Sequence, residues 1–399
     1  MISYDEALEL TLASAKGTQP ELRPLAEAVG RVLAAGILAP FRMPRFDNSA
    51  VDGYAVSEPT GASVWGVVRT IGAGELPGPP LNAGECARIF TGAPTPPDTF
   101  GVVMQEDADQ VAGRIRVCEE VQSGQHIRRQ GEEFNAGETV LSAGNFLNPA
   151  GVAVVAALGI TEVSIYSAPT LGIVVTGSEL AAAGMELAPG QIYESNSHGL
   201  RAALASLGLK PAFIEVVADD PTSTTQVLQD ALTRCDVLIT SGGVSVGGRD
   251  VVKDSLRSLG VKEVYWGVAI KPGKPVYFGL LGQKAVFGLP GNPMSVLATF
   301  TLLVQPYLKT MMGSPNPAPS RFQARLQNPI SHHPGRREFM PANICKTPEG
   351  VGVAPILNQG SHMLGGMARA DLLIDVPAEV SQLSEGELVW VIPFGRVEV

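Results

Sequence analysis

The sequence is poor in the residues that build zinc, disulfide and hydrolase centres. Its cysteines, Cys86, Cys118, Cys235 and Cys345, are scattered with no C-x-x-C, and its histidines show no zinc-ligand spacing. They read as reduced, mostly buried thiols of a cytoplasmic protein. The chain contains no H-E-x-x-H, no G-x-x-x-x-G-K-[ST] and no G-x-G-x-x-G. Neither a P-loop nucleotidase nor a Rossmann dehydrogenase is therefore supported, nor is zincin chemistry. Positive charge is also short. Lys+Arg number 29 against 39 Asp+Glu, a formal net charge of -10, so a nucleic-acid partner is not expected and any anion must be held by a local site. No apolar run reaches the roughly 18 residues of a membrane span. The start M-I-S-Y-D-E has neither the basic residues nor the apolar run of a leader. The expectation is a soluble protein with no membrane partner.

What is abundant is glycine, at 45, and proline, at 31, in 399 residues. That composition points to many turns and several β-rich regions, and the length allows two to four domains. Ser3 and Glu6 form a capping-box pair ahead of a first helix carrying Ala7, Leu8, Leu10, Leu12 and Ala15. A second helix is predicted from Pro24 through Leu25, Ala28 and Val32. From about Trp65 to Val140 short apolar runs broken by Gly and Pro read as an all-β module. Helical character returns at Asn148–Gly159, so the β module reads as an insertion within one domain, 1–45 with 141–169, the insertion being 46–140. An α/β section follows over 170–313, with a predicted parallel sheet and a long helix from Met294 to about Met311. The linker-like S-P-N-P-A-P-S at 314–320 leads to a small β-barrel or sandwich over 318–399.

The stretch Asp236–Asp250, D-V-L-I-T-S-G-G-V-S-V-G-G-R-D, is a buried strand that breaks into a loop. Gly242, Gly243, Gly247 and Gly248 let the backbone take positive φ and come close to an anion, and Ser241 and Ser245 add donors without bulk. Asp250 suits either capping the next helix or holding a cation. Lys271 and Lys274, in K-P-G-K-P, suit a phosphate-bearing ligand. Asp52, Glu179, Asp219 and Asp250 suit Mg²⁺, a hard cation that shares oxygen ligands with phosphates. Ligands of a parallel sheet gather at the carboxyl ends of its strands, where the loops at 177–179, 219–220, 241–250 and 290–293 lie, the last with Pro290 and Asn292 in L-P-G-N-P. His362, in G-S-H-M, sits in a site-like loop, where a lone histidine is more often structural.

Taken in order, D-N-S-A-V-D-G-Y-A-V, R-I-F-T-G-A-P, I-R-R-Q-G-E-E, T-S-G-G-V-S-V-G-G-R-D, I-K-P-G-K-P and L-P-G-N-P resemble the MoeA family of molybdopterin molybdenumtransferases, which includes the C-terminal domain of gephyrin. The resemblance runs along the whole chain. It implies a central molybdopterin-binding domain, a β-rich inserted domain and a C-terminal β-barrel domain, in an elongated cytoplasmic homodimer. It also implies a reaction in which molybdate and adenylylated molybdopterin, with Mg²⁺, give molybdenum cofactor and AMP. A molybdopterin adenylyltransferase and apo-molybdoenzymes are the partners it admits. By resemblance Asp52, Thr91, Glu179 and Asp250 lie around metal and molybdate, the first, third and fourth as metal ligands. Arg128, Glu133, Asp219, Lys271, Lys274, Arg336 and Ser361 line the rest of the cleft with the glycine loop. Two positions depart from the pattern: many relatives have a lysine where this chain has Gly267, and Glu133 stands where aspartate is common, a smaller change that keeps the charge. Two other readings share the frame, a scaffold of the gephyrin kind and a CinA-type enzyme. The first calls for a long linker and further domains, and the second for S-G-G-L-G-P in the glycine loop.

Overall fold

Three six-stranded sheets carry the architecture, in a computed structural model that describes all residues except 62, 244–250, 349, 357–359, 361 and 395–399. The middle sheet runs in the order Phe213–Val217, Leu171–Thr176, Val237–Ser241, Lys284–Leu289, Tyr277–Leu281, Lys262–Trp266. The first four strands are parallel, as read from the sequence. Tyr277–Leu281 runs antiparallel to both of its neighbours, Lys284–Leu289 and Lys262–Trp266, so the sheet is mixed at that edge. The reason is local. Leu281 pairs with Lys284 across Gly282, which has φ 62°, and a connection that short can only reverse the chain. A parallel return needs a crossover of about a dozen residues or more.

The chain after Lys262 serves two sheets in turn. Lys262–Trp266 stays in the middle sheet, the chain turns at Gly267, and Ile270–Lys271 leaves to pair with Arg337–Glu338 of the third sheet.

Helices Asn196–Ala205, Pro221–Arg234 and Val251–Ser258 cover the sheet. Asp220 caps the second by accepting the Ser223 N–H at 2.7 Å, and Pro221 fills the first turn where its missing N–H costs nothing. The long helix after Pro293 is not one regular helix. Pro293–Thr299 and Gln305–Met311 flank a π-helical stretch, Phe300–Val304. Pro306 cannot donate to the preceding turn and its ring crowds it, and a wider turn ahead of it relieves both. Phe278, Phe287 and Tyr307 stack through centroids 4.7 to 5.8 Å apart beneath this helix. The first helix, Tyr4–Ser14, packs on the same core: Tyr4 and Ala7 are buried in it, and Thr11 Oγ1 meets the Tyr265 hydroxyl at 2.8 Å.

The second helix predicted from Pro24 through Val32 is reduced to a 3-10 turn, Leu25–Glu27, which follows a strand, Pro20–Pro24, paired antiparallel with Glu162–Tyr166. Proline disfavours the helical region for the residue before it, which holds Arg23 extended, and the returning strand supplies the partner. Leu25, Ala28 and Leu33 then bury against Leu147, Val155 and Ile165. Helix Pro149–Ala157 forms as predicted, with the Asn148 side chain accepting from the Gly151 N–H at 2.7 Å.

Between these halves stands the β module, in the order Gly101–Met104, Gly53–Val56, Glu85–Ile89, Val64–Ile71, Arg114–Val117, Ala108–Val111, with an apolar cluster on each face. The C-terminal sheet closes on itself. Arg337–Thr347, Gly350–Pro355, Phe322–Leu326, Leu388–Pro393 and Leu372–Val376 form a five-stranded barrel, sealed by pairing of the first with the last.

Candidate functional site

The first group of predicted site residues lies at one end of the β module. Asp52 immediately precedes strand Gly53–Val56, where a Cβ on Gly53 would collide with the Val103 carbonyl, so only glycine lets the strands close there. The Thr91 N–H and hydroxyl both donate to Asp52 Oδ1, and no described hydrogen bond engages Oδ2. These bonds from Thr91, with a smaller contribution from Arg88, hold the Asp52 carboxyl below the ordinary range. Ile127–Arg128 pairs with Asn48–Ser49 beside this site. Arg129, and not Arg128, takes the local ion pair, with Nη1 2.6 Å from Asp47 Oδ2. Glu132 Oε2 accepts the Arg129 N–H at 2.7 Å. Arg128 and Glu133 are left exposed.

The second group sits at the carboxyl ends of the middle-sheet strands. Gly242 and Gly243 adopt φ of 92° and 63°. A Cβ on Gly242 would strike the Thr176 carbonyl oxygen, and one on Gly243 would lie 2.5 Å from Val252 Cγ2. Ser241 Oγ donates to the Pro290 carbonyl at 3.2 Å and accepts from Asn196 Nδ2 at 2.9 Å, while the same Nδ2 donates to the Gly291 carbonyl at 2.8 Å. The glycine strand and the L-P-G-N-P loop are thus tied through Asn196. Sequence reasoning missed this residue, although E-S-N-S at 194–197 is an unusually polar approach to a helix. Thr176 Oγ1, Thr240 Oγ1 and Asn196 Oδ1 are buried here without a hydrogen-bond partner. Such groups are uncommon in finished interiors. Glu179, Asn292 and Asp219 are exposed, and the Asp219 N–H donates to Ser178 Oγ at 3.1 Å. Ser245, Gly247 and Asp250 lie outside the described residues.

The third group stands where the middle sheet meets the barrel. Lys271 Nζ is 2.7 Å from Glu338 Oε1, a partner the sequence had not named. Lys274 and Arg336 are half-buried and His362 is exposed, while Ser361 lies outside the described residues. The second and third groups are joined by the pairing of Ile270–Lys271 with Arg337–Glu338, whereas the first is carried on a separate sheet. Among the described residues no three His, Cys, Asp or Glu side chains gather to hold a metal by themselves. A hard cation here would need oxygens from its ligand as well, the usual habit of Mg²⁺.

Family models match the chain in three parts. They are the MoeA N-terminal region (domain I and II) over residues 2–159, a probable molybdopterin binding domain over 172–310, and the MoeA C-terminal region (domain IV) over 323–394. Molybdopterin molybdenumtransferase 2 of Mycobacterium tuberculosis (strain ATCC 25618 / H37Rv) is 34% identical over 401 residues, covering 97% of this chain and 98% of its own. The molybdopterin molybdenumtransferase of Haemophilus influenzae is 34% identical over 100% of both chains. Among solved structures, the molybdopterin biosynthesis MoeA protein of Pyrococcus horikoshii OT3 superposes with a TM-score of 0.84 at 32% identity, over 99% of this chain and 100% of that one.

Proposed function

The chain belongs to the MoeA family, and we propose that it is a molybdopterin molybdenumtransferase that converts adenylylated molybdopterin and molybdate into molybdenum cofactor and AMP. The observation that carries this reading is similarity over the full chain, at 34% identity, to proteins that bear that name. The site chemistry agrees with it. Backbone turned outward by Gly242 and Gly243, together with Lys271, Lys274, Arg128 and Arg336, suits a phosphorylated ligand, and Asn196 and Ser241 fix the loops that would hold it. The pterin's own sulfurs take up molybdenum, so the protein's work is to bind and orient.

Mg²⁺ is the metal we propose, held by Asp52, Glu179 and Asp250 together with substrate phosphate oxygens. The residues fit: Asp52 is kept ionised with Oδ2 uncommitted, and Glu179 is exposed. When bound, Mg²⁺ would offset charge developing on the breaking phosphoanhydride. Thr91 keeps Asp52 ionised and oriented. Glu133, Asp219, Pro290, Asn292 and Ser361, with the remainder of the glycine loop, complete the proposed lining.

We further propose a homodimer, because Asp52 and Thr91 are carried on a different sheet from the glycine loop, and a second copy could bring the two together. The proposed domain limits are those read from the sequence. A cytoplasmic location is supported by the four free cysteines and by the lack, among the described residues, of any helix long and apolar enough to cross a membrane.

The test is AMP release from adenylylated molybdopterin by purified protein with Mg²⁺, with and without molybdate. Release that depends on molybdate, with a product that activates a molybdenum-free apo-enzyme, is the expected result. Tight pterin binding without release would replace the transferase with a carrier or scaffold.

A further inference from the structure

Glu338 is 5% exposed, at the seam between the middle sheet and the barrel. A carboxylate that deep persists only with charged or hydrogen-bonding partners. Lys271 supplies the charge, with Nζ 2.7 Å from Oε1, and His332 Nε2 lies 3.5 Å from Oε2. The His332 ring is itself buried, and its Nδ1–H donates to the Val380 carbonyl at 2.7 Å, so the ring cannot swing away. The neighbouring Arg337 does not compete for Glu338, because its guanidinium is committed to Asp375 and Asp5.

Lys271 therefore has one side fastened and the other open: its side chain remains 47% exposed. An ammonium carries three donors, and one directed at Glu338 leaves two for a ligand. Strand pairing fixes the base of the side chain, with Lys271 opposite Glu338 in register, and the ion pair fixes its tip. A free lysine would lose rotamer entropy on binding an anion, whereas a lysine already held in place loses much less.

We propose that Glu338 is a positioning residue for the oxyanion substrate, holding the Lys271 ammonium so that its remaining N–H bonds meet an oxygen of molybdate, with the fixed His332 ring packed beside the carboxylate. This rests on the reading of the site as one that takes molybdate. Glu338 and His332 never touch the substrate themselves, and the affinity of Lys271 for the anion becomes a property of the barrel seam.

The test is a double-mutant cycle on the full chain, in which Glu338→Gln, Lys271→Ala and the double variant are assayed for molybdate-dependent AMP release and, by calorimetry, for binding of molybdate alone. Glu338→Gln is expected to raise KM for molybdate about tenfold, the size of one charge-assisted hydrogen bond, with kcat changed less than about twofold. In the Lys271→Ala background the same substitution should change KM by less than about twofold. Glu338→Asp, which keeps the charge on a shorter stem, should recover part of the affinity. If Glu338→Gln fails to fold, the Glu338→Asp cycle gives the same comparison. Additive KM effects in the double variant, or a fall in kcat and melting temperature with KM unmoved, would overturn the inference while leaving the transferase reading intact. A wild-type protein that neither binds molybdate nor releases AMP would overturn both.

Discussion

Thr91 gives its backbone N–H and its hydroxyl to a single oxygen of Asp52, at 2.8 and 2.7 Å, so one carboxylate oxygen is committed and the other is presented. Bonds of this kind favour the charged form and depress the carboxyl's pKa. A carboxyl depressed on folding stabilises the fold above its unfolded value, and that contribution disappears as pH falls through the folded one. Thr91→Val keeps the backbone bond and removes the hydroxyl. Asp52 is then expected to titrate at higher pH than in the wild type, and AMP release should fall. A carbon-detected NMR titration of the Asp52 carboxyl reads the shift directly. An unmoved titration curve would mean that the hydroxyl does not tune this group.

Glycines of two kinds stand in the neighbouring loops at 241–250 and 290–293. Gly242 has φ 92° and its Cβ position is occupied by the Thr176 carbonyl, so Gly242→Ala meets both strain and a clash that backbone cannot yield to cheaply. An added Cβ on Gly291 would meet only the Gly242 Cα at 3.8 Å, an ordinary contact. Gly242→Ala is expected to cost about 2 kcal/mol or more of stability and to abolish AMP release. Gly291→Ala should be nearly neutral in melting temperature. Equal effects of the two substitutions would contradict the geometry.

Arg337 forks onto Asp375 through Nε and Nη2, both at 2.6 Å, and reaches Asp5 of the first helix through Nη1 at 2.8 Å. The Asp375 partner is 3% exposed at its side chain and the Asp5 partner 77%, so the two bonds should differ in weight. Removing Asp375 strands a largely buried cation, for which about 3 kcal/mol is the expected loss. Removing Asp5 breaks a solvated pair worth about 1 kcal/mol or less. Thermal melting of Asp375→Ala and Asp5→Ala decides it, and similar drops would show that the fork carries no special share.

Much of this fold was legible because local signals agreed with tertiary demand. The Ser3 and Asn148 caps, Pro149 and Pro221 in first turns, and the apolar run ahead of Ser241 each specify an element without outside help. The misread elements are those whose state is decided by a distant partner. The chain is extended up to Pro24, where a helix was expected to start, because Glu162–Tyr166 returns beside it, and Ile270–Lys271 pairs with the barrel because Arg337–Glu338 is there to receive it. The candidate site divides in the same way. The residues Asp52, Thr91, Gly242 and Lys271 could be named from their motifs. Asn196 and Glu338 could not, since they act by contacts with residues 45 and 67 positions away, which no local spacing reveals.

Gly267 is where motif and structure give opposite advice. The family pattern often has lysine there, and by pattern alone Gly267→Lys would add a cation near Lys271 and improve anion binding. In the fold, Gly267 has φ 83°, donates its N–H to the Val276 carbonyl at 2.8 Å and accepts the Ile2 N–H at 3.2 Å. This left-handed turn divides strand Lys262–Trp266 from Ile270–Lys271 and so delivers Lys271 to the barrel seam. The nearest atom to an added Cβ is Met1 Cγ at 3.2 Å, the middle of a flexible side chain, so the obstacle is conformational and not steric. An L-residue held left-handed costs about 1–2 kcal/mol, and asparagine tolerates that region better than most. Gly267→Lys and Gly267→Ala are therefore expected to lower the melting temperature by similar amounts, and Gly267→Asn by less. Molybdate KM should not improve in Gly267→Lys, because any gain in charge is offset by a displaced Lys271. A Gly267→Lys protein as stable as wild type that binds molybdate more tightly would show that the turn can be rebuilt around a side chain. The glycine would then be a lost ligand, and not a structural requirement of this chain.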